Sequence, residues 1–502
     1  MPEVIRDLSD TSSYWAAVWT LCPLPDVHII CDAPIGCFNL VATAVPDYTD
    51  AIPHIENITP SVIREQEVGG SGTGTAVQRT YEELRAEGLL DGKQLIVVST
   101  AESEMIGSDL SDLVPKLHPG ATFFHSESLS DDEWLGRDRV LQWLWDTYGR
   151  AAAADVAVEP GLVNIIGPTY GCFNAPADLH EVRRLVEGAG GRINLVFPYE
   201  ARLADVPRLA EAQVNVVLYK EFGHTLADSL ERPWLHAPMG MRGTTAFVQQ
   251  LGKLLGTEAQ AAAFIRQEKK TTLQAVWDLW RGPQGDWFGT TNVGIVATGT
   301  YVDGLKAFLG DELGMPISFA ASRPLRAGEP NNEGVRQLLH NSSPAFVFGS
   351  INEKIYLSEA GARFTNFIPA AFPGPIVRRA VGTPFMGYRG AVYVLQEIVN
   401  RLYEVLFNFL PVDAAYAQAR GQRGPGGPPP AAPRAGVNGK PGNLPWQAEA
   451  KARLDAALEQ MPFLPRISAS RELQMRVEAL AHDQALAEVT PELVEQVLAT
   501  QK

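Results

Sequence analysis

The sequence predicts an α/β protein: three units, each a parallel sheet with flanking helices, followed by a small helical C-terminal module. Three observations carry that reading. Short apolar runs bounded by Gly or Pro alternate with longer amphipathic stretches, as in strands joined by crossover helices. At 502 residues the chain has room for about three domains. With 45% hydrophobic and 20% charged residues, its composition is neither disordered nor fibrous.

Six runs read as buried strands, in chain order: Val27 to Cys31, Leu95 to Ser99, Leu162 to Ile166, Val214 to Leu218, Val293 to Ala297 and Ala345 to Gly349. Each is mostly apolar on both faces, as a strand covered by helices on both sides tends to be. Between them, Ala76 to Glu87, Ala177 to Gly188, Thr245 to Leu255 and Tyr301 to Leu313 repeat apolar residues at spacings of three and four and read as helices. The units divide as 1–159, 160–285 and 286–411, with breaks at Glu159-Pro160 and at the GPQGDW segment around Gly285. Residues 412–445 are rich in Pro and Gly and read as a linker. Residues 446–502 form the helical module: Ala448 to Leu458 is amphipathic, and Thr490-Pro491 caps a further helix.

Charge and motifs exclude several functions. Lys plus Arg number 42 against 58 Asp plus Glu, a net charge of −16 and the wrong sign for wrapping phosphate backbones. Gly69-Gly70-Ser71-Gly72-Thr73-Gly74-Thr75 lacks the GxxxxGK(S/T) and GxGxxG spacings, so it reads as a turn before a helix, and the chain carries no ATP site of its own. Nine histidines without HxH or HExxH spacing argue against a mononuclear metal site, and no GxSxG elbow appears. The acidic start MPEVIRDLSD, the lack of a long uncharged apolar run and the four cysteines favour a reducing cytoplasm without a membrane span.

Cys37 is the most informative cysteine. It sits in Asp32-Ala33-Pro34-Ile35-Gly36-Cys37, just past the first strand, where a rigid loop can present a thiolate to a metal; a buried inert thiol is the other reading. Cys22 and Cys31 read as core. Cys172 lies in an echo, Gly171-Cys172-Phe173-Asn174, of Gly36-Cys37-Phe38-Asn39, which leaves it a ligand, a pocket wall or a bystander. These cysteines lack the spacing that wraps a four-iron cluster within one chain, so another subunit would have to complete one. The loop Thr383 to Gly390, rich in aromatic and apolar residues, either lines a flat ligand or caps a helix.

Several strings carry a resemblance: IGCFNL around Cys37, Ser103-Glu104-Met105-Ile106-Gly107, Asn164-Ile165-Ile166-Gly167-Pro168, Glu221-Phe222-Gly223, Asp278-Leu279-Trp280, Glu359-Ala360-Gly361-Ala362-Arg363 and Gly382-Thr383-Pro384-Phe385-Met386-Gly387-Tyr388. In this order, across nearly the whole chain, they resemble the Z-subunit family of chlorophyllide a reductase, among the nitrogenase-like oxidoreductases. The resemblance implies three nitrogenase component-1-like units. It also implies a heterotetramer with subunit Y, and transient docking of subunit X, an iron-sulfur reductase that hydrolyses ATP. The implied reaction is reduction of the C7=C8 bond of chlorophyllide a, on the route to bacteriochlorophyll, by single electrons passed through a 4Fe-4S cluster. Cys37 would give that cluster one ligand and subunit Y the rest. The B-type chain of light-independent protochlorophyllide reductase is expected to carry Asp at this place, so Cys37 favours the chlorophyllide enzyme. By loose positional similarity Asp286 is the candidate proton donor, a capping or surface carboxylate being its other reading. Phe38, Val41 and Cys172 depart from the expected acidic residue, proline and hydroxyl residue. Rival readings are the B-type chain of light-independent protochlorophyllide reductase, which acts on ring D, a nitrogenase-type cofactor scaffold, and an α/β binding protein.

Overall fold

In the computed structural model the described residues are 11–48, 55–280, 288–362, 365–371, 383–409, 444–459 and, apart from a few positions, 473–499. The chain divides into two units, Met1–Arg281 with Thr291–Glu397, and Gly282–Thr290 with Ile398–Lys502.

The first unit holds three parallel four-stranded sheets. The first contains β1 (Val27–Asp32), β2 (Ile58–Pro60), β3 (Gln94–Ser99) and β4 (Thr122–Phe124). The second contains β5 (Glu159–Ile166), β6 (Arg192–Phe197), β7 (Ala212–Val217) and β8 (Trp234–His236), and the third β9 (Val293–Thr298), β10 (Ile317–Arg323), β11 (Phe346–Gly349) and β12 (Asn366–Pro369). Their orders are β2-β1-β3-β4, β6-β5-β7-β8 and β10-β9-β11-β12, one topology used three times. In each, the chain leaves the first strand to one side and then crosses to the other. The loops after the first and third strands therefore diverge over a crevice at their carboxyl ends, where open α/β sheets bind ligands.

The six strands read from sequence are the central pairs β1/β3, β5/β7 and β9/β11, with ends displaced by at most a few residues. Burial explains their composition: β1 and β11 are buried at every residue. Helix Gly74–Ala86 covers the first sheet, laying Val77, Tyr81 and Leu84 against Ile30, Leu95 and Val97. Each such side chain contributes roughly 1.5–3 kcal/mol by leaving water. The stretch Tyr301 to Leu313 begins as the helix Gly299–Leu305 and continues as a wider turn over Lys306–Glu312.

In the second unit, helices Ala448–Glu459 and Pro491–Ala499 share a small core of Ala450, Leu454, Leu458, Leu473, Val477, Leu493, Val494 and Val497. The second helix opens with its proline, in the position where a missing N–H costs nothing. The proposed linker lies outside the described residues except for Leu444 and Pro445.

Candidate metal centre

At the carboxyl end of the first sheet, β1 and β3 run in continuous register to the pair Asp32↔Ser99. Past Asp32 the chain enters helix Ile35–Tyr48, with Cys37 in its first turn. Past Ser99, Thr100 caps helix Ala101–Met105, with Glu102 in its first turn. Adjacent strands thus release adjacent loops, and Cys37 Sγ donates to Glu102 Oε1 at 2.9 Å.

Three segments lock this pair in place. Thr100 Oγ1 donates to the Asp32 carbonyl at 2.8 Å, and the N–H groups of Ser61 and Ile63 donate to the carbonyls of Cys31 and Ala33 at 2.8 and 3.3 Å. The buried Asp32 carboxylate accepts from Ser61 Oγ at 3.1 Å and from Thr73 Oγ1 at 2.6 Å. Burial pushes the Asp32 carboxyl up from its ordinary range, while its hydroxyl donors pull it back. Glu104 is similarly occupied, accepting from Ser99 Oγ at 2.6 Å and Ser126 Oγ at 3.0 Å. The glycine run is thus a turn before helix Gly74–Ala86, and its Thr73 serves the buried carboxylate.

Cys37 is half-buried at an open edge. Among the described residues a Cβ at Gly36 would meet nothing within 4 Å, and Ile35, Leu40 and Met105 are 51%, 63% and 73% exposed. Burial, then the neighbouring Glu102, push the Cys37 thiol up to about 11, so it is protonated at neutral pH. Among the described residues no three His, Cys, Asp or Glu side chains are grouped to hold a metal. The chain here offers one sulfur. A sulfur donor suits iron-sulfur chemistry, and a single one beside open space fits a shared ligand, not an enclosed centre.

The other residues singled out in the sequence fall elsewhere. Cys22 and Cys31 are fully buried core thiols, and burial pushes Cys31 up to about 12. Cys172 lies at the second crevice, after β5, but it is buried, with Arg137 Nη1 at 3.7 Å and Thr169 Oγ1 at 3.4 Å. In the loop Thr383 to Gly390, the N–H groups of Phe385 and Met386 donate to buried Asp178 at 2.7 and 2.9 Å, and helix Gly387–Phe409 follows. With Phe385, Met386 and Tyr388 buried, that loop leads into a helix and is anchored in the core. Asp286 lies outside the described residues. Sequence patterning passes over Asp32, Thr73 and Glu102; an acidic residue closing a central strand, followed across the sheet by Thr-x-x-Ser, is the available signal.

Residues 12–403 match the family described as nitrogenase component 1 type oxidoreductase. The chain belongs to this family. It is accordingly an oxidoreductase subunit, from a family that implies iron-sulfur clusters and multi-subunit complexes served by a reductase. The B-type chain of light-independent protochlorophyllide reductase from Heliobacterium modesticaldum is 28% identical over 94% of this chain and 93% of its own length. The Chloroflexus aggregans protein of the same name is 34% identical, over 59% of this chain and 55% of its own length. A solved nitrogenase structure, Cp1 at pH 6.5, superposes with a TM-score of 0.67 at 15% identity, over 82% of this chain and 97% of that one, which is a likeness of fold. No described helix is long and apolar enough to cross a membrane.

Proposed function

We propose that the chain is a subunit of the catalytic component of an ATP-dependent, nitrogenase-like reductase that adds two electrons and two protons across a C=C bond of a chlorophyll precursor. The observation that carries this is Cys37: one accessible sulfur, at the switch crevice of the first sheet, with Glu102 beside it but no group of three ligand side chains among the described residues. Its thiolate would be one ligand of a 4Fe-4S cluster, the remaining ligands coming from a Y-type partner in a complex with two copies of each subunit. When bound, the cluster supplies single electrons to the pigment. The chain's own residues hold the ligand loop: Asp32 through Ser61 and Thr73, and Thr100 through the Asp32 carbonyl. Ligation requires loss of the thiol proton, which Glu102 Oε1 already accepts as a hydrogen bond. ATP hydrolysis falls to an X-type reductase partner, in keeping with the missing phosphate-loop spacing.

The names of the relatives favour protochlorophyllide, reduced at ring D, as the substrate. The sequence alone ranks this pigment second. It ranks first the C7=C8 bond of chlorophyllide a, because of the thiol at position 37, where the B-type chain of the protochlorophyllide enzyme is expected to carry Asp. Assaying one purified complex with both pigments decides between them, and a complex that turns over neither, with reductase and ATP present, refutes the function. For the ligand, Cys37→Ser or Cys37→Ala should abolish or shift the four-iron EPR signal, while Cys22→Ala leaves it intact. An unchanged signal in both Cys37 variants removes Cys37 from the centre. The cytoplasm is the proposed location.

A further inference from the structure

We infer that Glu102 is a positioning residue for the Cys37 sulfur whose carboxylate lowers the reduction potential of the iron-sulfur group bound there, making it a stronger one-electron donor. This rests on the proposed role of Cys37 as a cluster ligand.

The geometry is set before any ligand binds. Glu102 Oε1 lies 2.9 Å from Cys37 Sγ. Its short helix is fixed at the start by a reciprocal cap, in which Ser103 N–H donates to Thr100 Oγ1 at 3.3 Å and Thr100 N–H to Ser103 Oγ at 2.9 Å. The same Thr100 hydroxyl is tied to the Asp32 carbonyl, five residues before the thiol. The carboxylate and the sulfur are therefore carried by loops pinned to one another, and side-chain rotation alone is left to separate them.

The chemistry of the pair gives the direction. A carboxylate is only an acceptor. It holds the thiol through the S–H proton, but once iron replaces that proton it has nothing to donate to the sulfur. Hydrogen-bond donors around cluster sulfurs and the net charge nearby are among the protein's controls on potential. Donors stabilise the more negative, reduced form, and a neighbouring negative charge destabilises it. Glu102 contributes charge without a donor. No Lys or Arg forms an ion pair with it among the described residues. The neighbouring carboxylates differ: Asp32 and Glu104 are each occupied by two hydroxyl donors, so Glu102 is the acid aimed at the sulfur.

The test uses the full chain co-expressed with its partner and purified without oxygen, as wild type, Glu102→Gln, Glu102→Ala and Glu102→Asp. Iron content is measured, and an EPR-monitored redox titration gives the midpoint potential. Expected are wild-type iron in all four, a positive shift in the Gln and Ala variants that is largest for Gln because its amide adds a donor, and recovery toward wild type in Asp. Full iron with an unchanged midpoint in Gln and Ala overturns the inference while leaving Cys37 as ligand. So does an Asp variant shifted as far as Ala, since placement and not charge would then govern. An iron-free wild-type complex overturns the reading of Cys37, and the inference with it.

Discussion

Arg137→Met should be the costliest single substitution in the layer that joins the first two sheets. Arg137 sits in helix Glu133–Leu144 and is completely buried. Its Nη1 donates to the Tyr170 carbonyl at 2.7 Å and to the Thr169 hydroxyl, and its Nη2 lies 3.6 Å from Glu133 Oε1. Its guanidinium stands 5.3, 5.5 and 5.6 Å from the ring centroids of Trp19, Trp134 and Phe222. Met preserves much of the volume but removes the cation beside the Glu133 carboxylate, whose side chain is only 2% exposed. Breaking a buried pair from one side costs about 3–5 kcal/mol, and an orphaned carbonyl about 1–3 kcal/mol more. Allowing for relaxation and for the Thr11 hydroxyl that still reaches Glu133, the sum is about 5 kcal/mol. For a unit of roughly 390 residues, the unfolding entropy near 60 °C makes this a fall in Tm of about 6 °C. The measurement is calorimetry on the wild type and variant, following the transition of the first unit because the chain need not unfold in one step. Adding Glu133→Gln to the Met variant removes the buried charge that has lost its cation and should recover about 2 kcal/mol. A Tm within about 1 °C of wild type, or a double variant less stable than the single one, would refute the assigned pairing.

Two further outcomes follow from named groups. Burial, reinforced by Lys93, lowers His28 to about 4, while its Nε2 meets Thr59 Oγ1 at 3.0 Å. The unfolded chain therefore binds the extra proton between the unfolded value near 6.5 and about 4, so stability present above 6.5 is lost as pH falls through that window. This amounts to at most about 2 kcal/mol at pH 5 relative to pH 7.5. In urea titrations at the two pH values, His28→Gln should narrow the gap, and an equal gap would show that other groups carry it. If the proposed function holds and Asp286 is its proton donor, Asp286→Asn should slow pigment turnover without altering the cluster's EPR spectrum, and unchanged turnover removes Asp286 from that role.

Where the sequence could be read, and where it could not, follows from position in the sheets. The strands legible as apolar runs are the inner pairs, with a strand on either side and helices over both faces. The six left unread are the edges. β2 is Ile58-Thr59-Pro60, which a proline can end because that edge needs no further donor, and β8, Trp234-Leu235-His236, is partly exposed throughout. Such segments carry no run or alternation long enough to stand out. The site divides in the same way. The place of Cys37 just past the first strand was legible, because that strand's burial is plain in its letters. The contact of Cys37 with Glu102 was not, because it arises only when β3 pairs with β1 and brings two loops, 65 positions apart in sequence, within one hydrogen bond.

The echoed tetrapeptide sits in different surroundings in two of the three crevices. Gly36-Cys37-Phe38-Asn39 and Gly171-Cys172-Phe173-Asn174 follow the first strands of two sheets with the same order, so topology gives both cysteines the same opportunity. Their neighbours decide otherwise. Gly171 has a left-handed φ of +74°, and a Cβ there would stand 2.5 Å from the Trp19 ring and 2.9 Å from Arg137 Nη2. The second loop is thus packed shut, and Cys172 is spent on the contact between sheets. At the third crevice, Ser350 and Glu353 cap the helix after β11, while Glu221, from the loop after β7, caps the helix after β9 through Thr300 N–H at 2.6 Å. Hydrogen bonding within the chain occupies those groups. Among the described residues nothing approaches Gly36, and Cys37 has the Glu102 carboxylate for a partner and apolar side chains exposed beside it. The described side chains thus close the second and third openings, and Cys37 stands half-buried at the edge of the first.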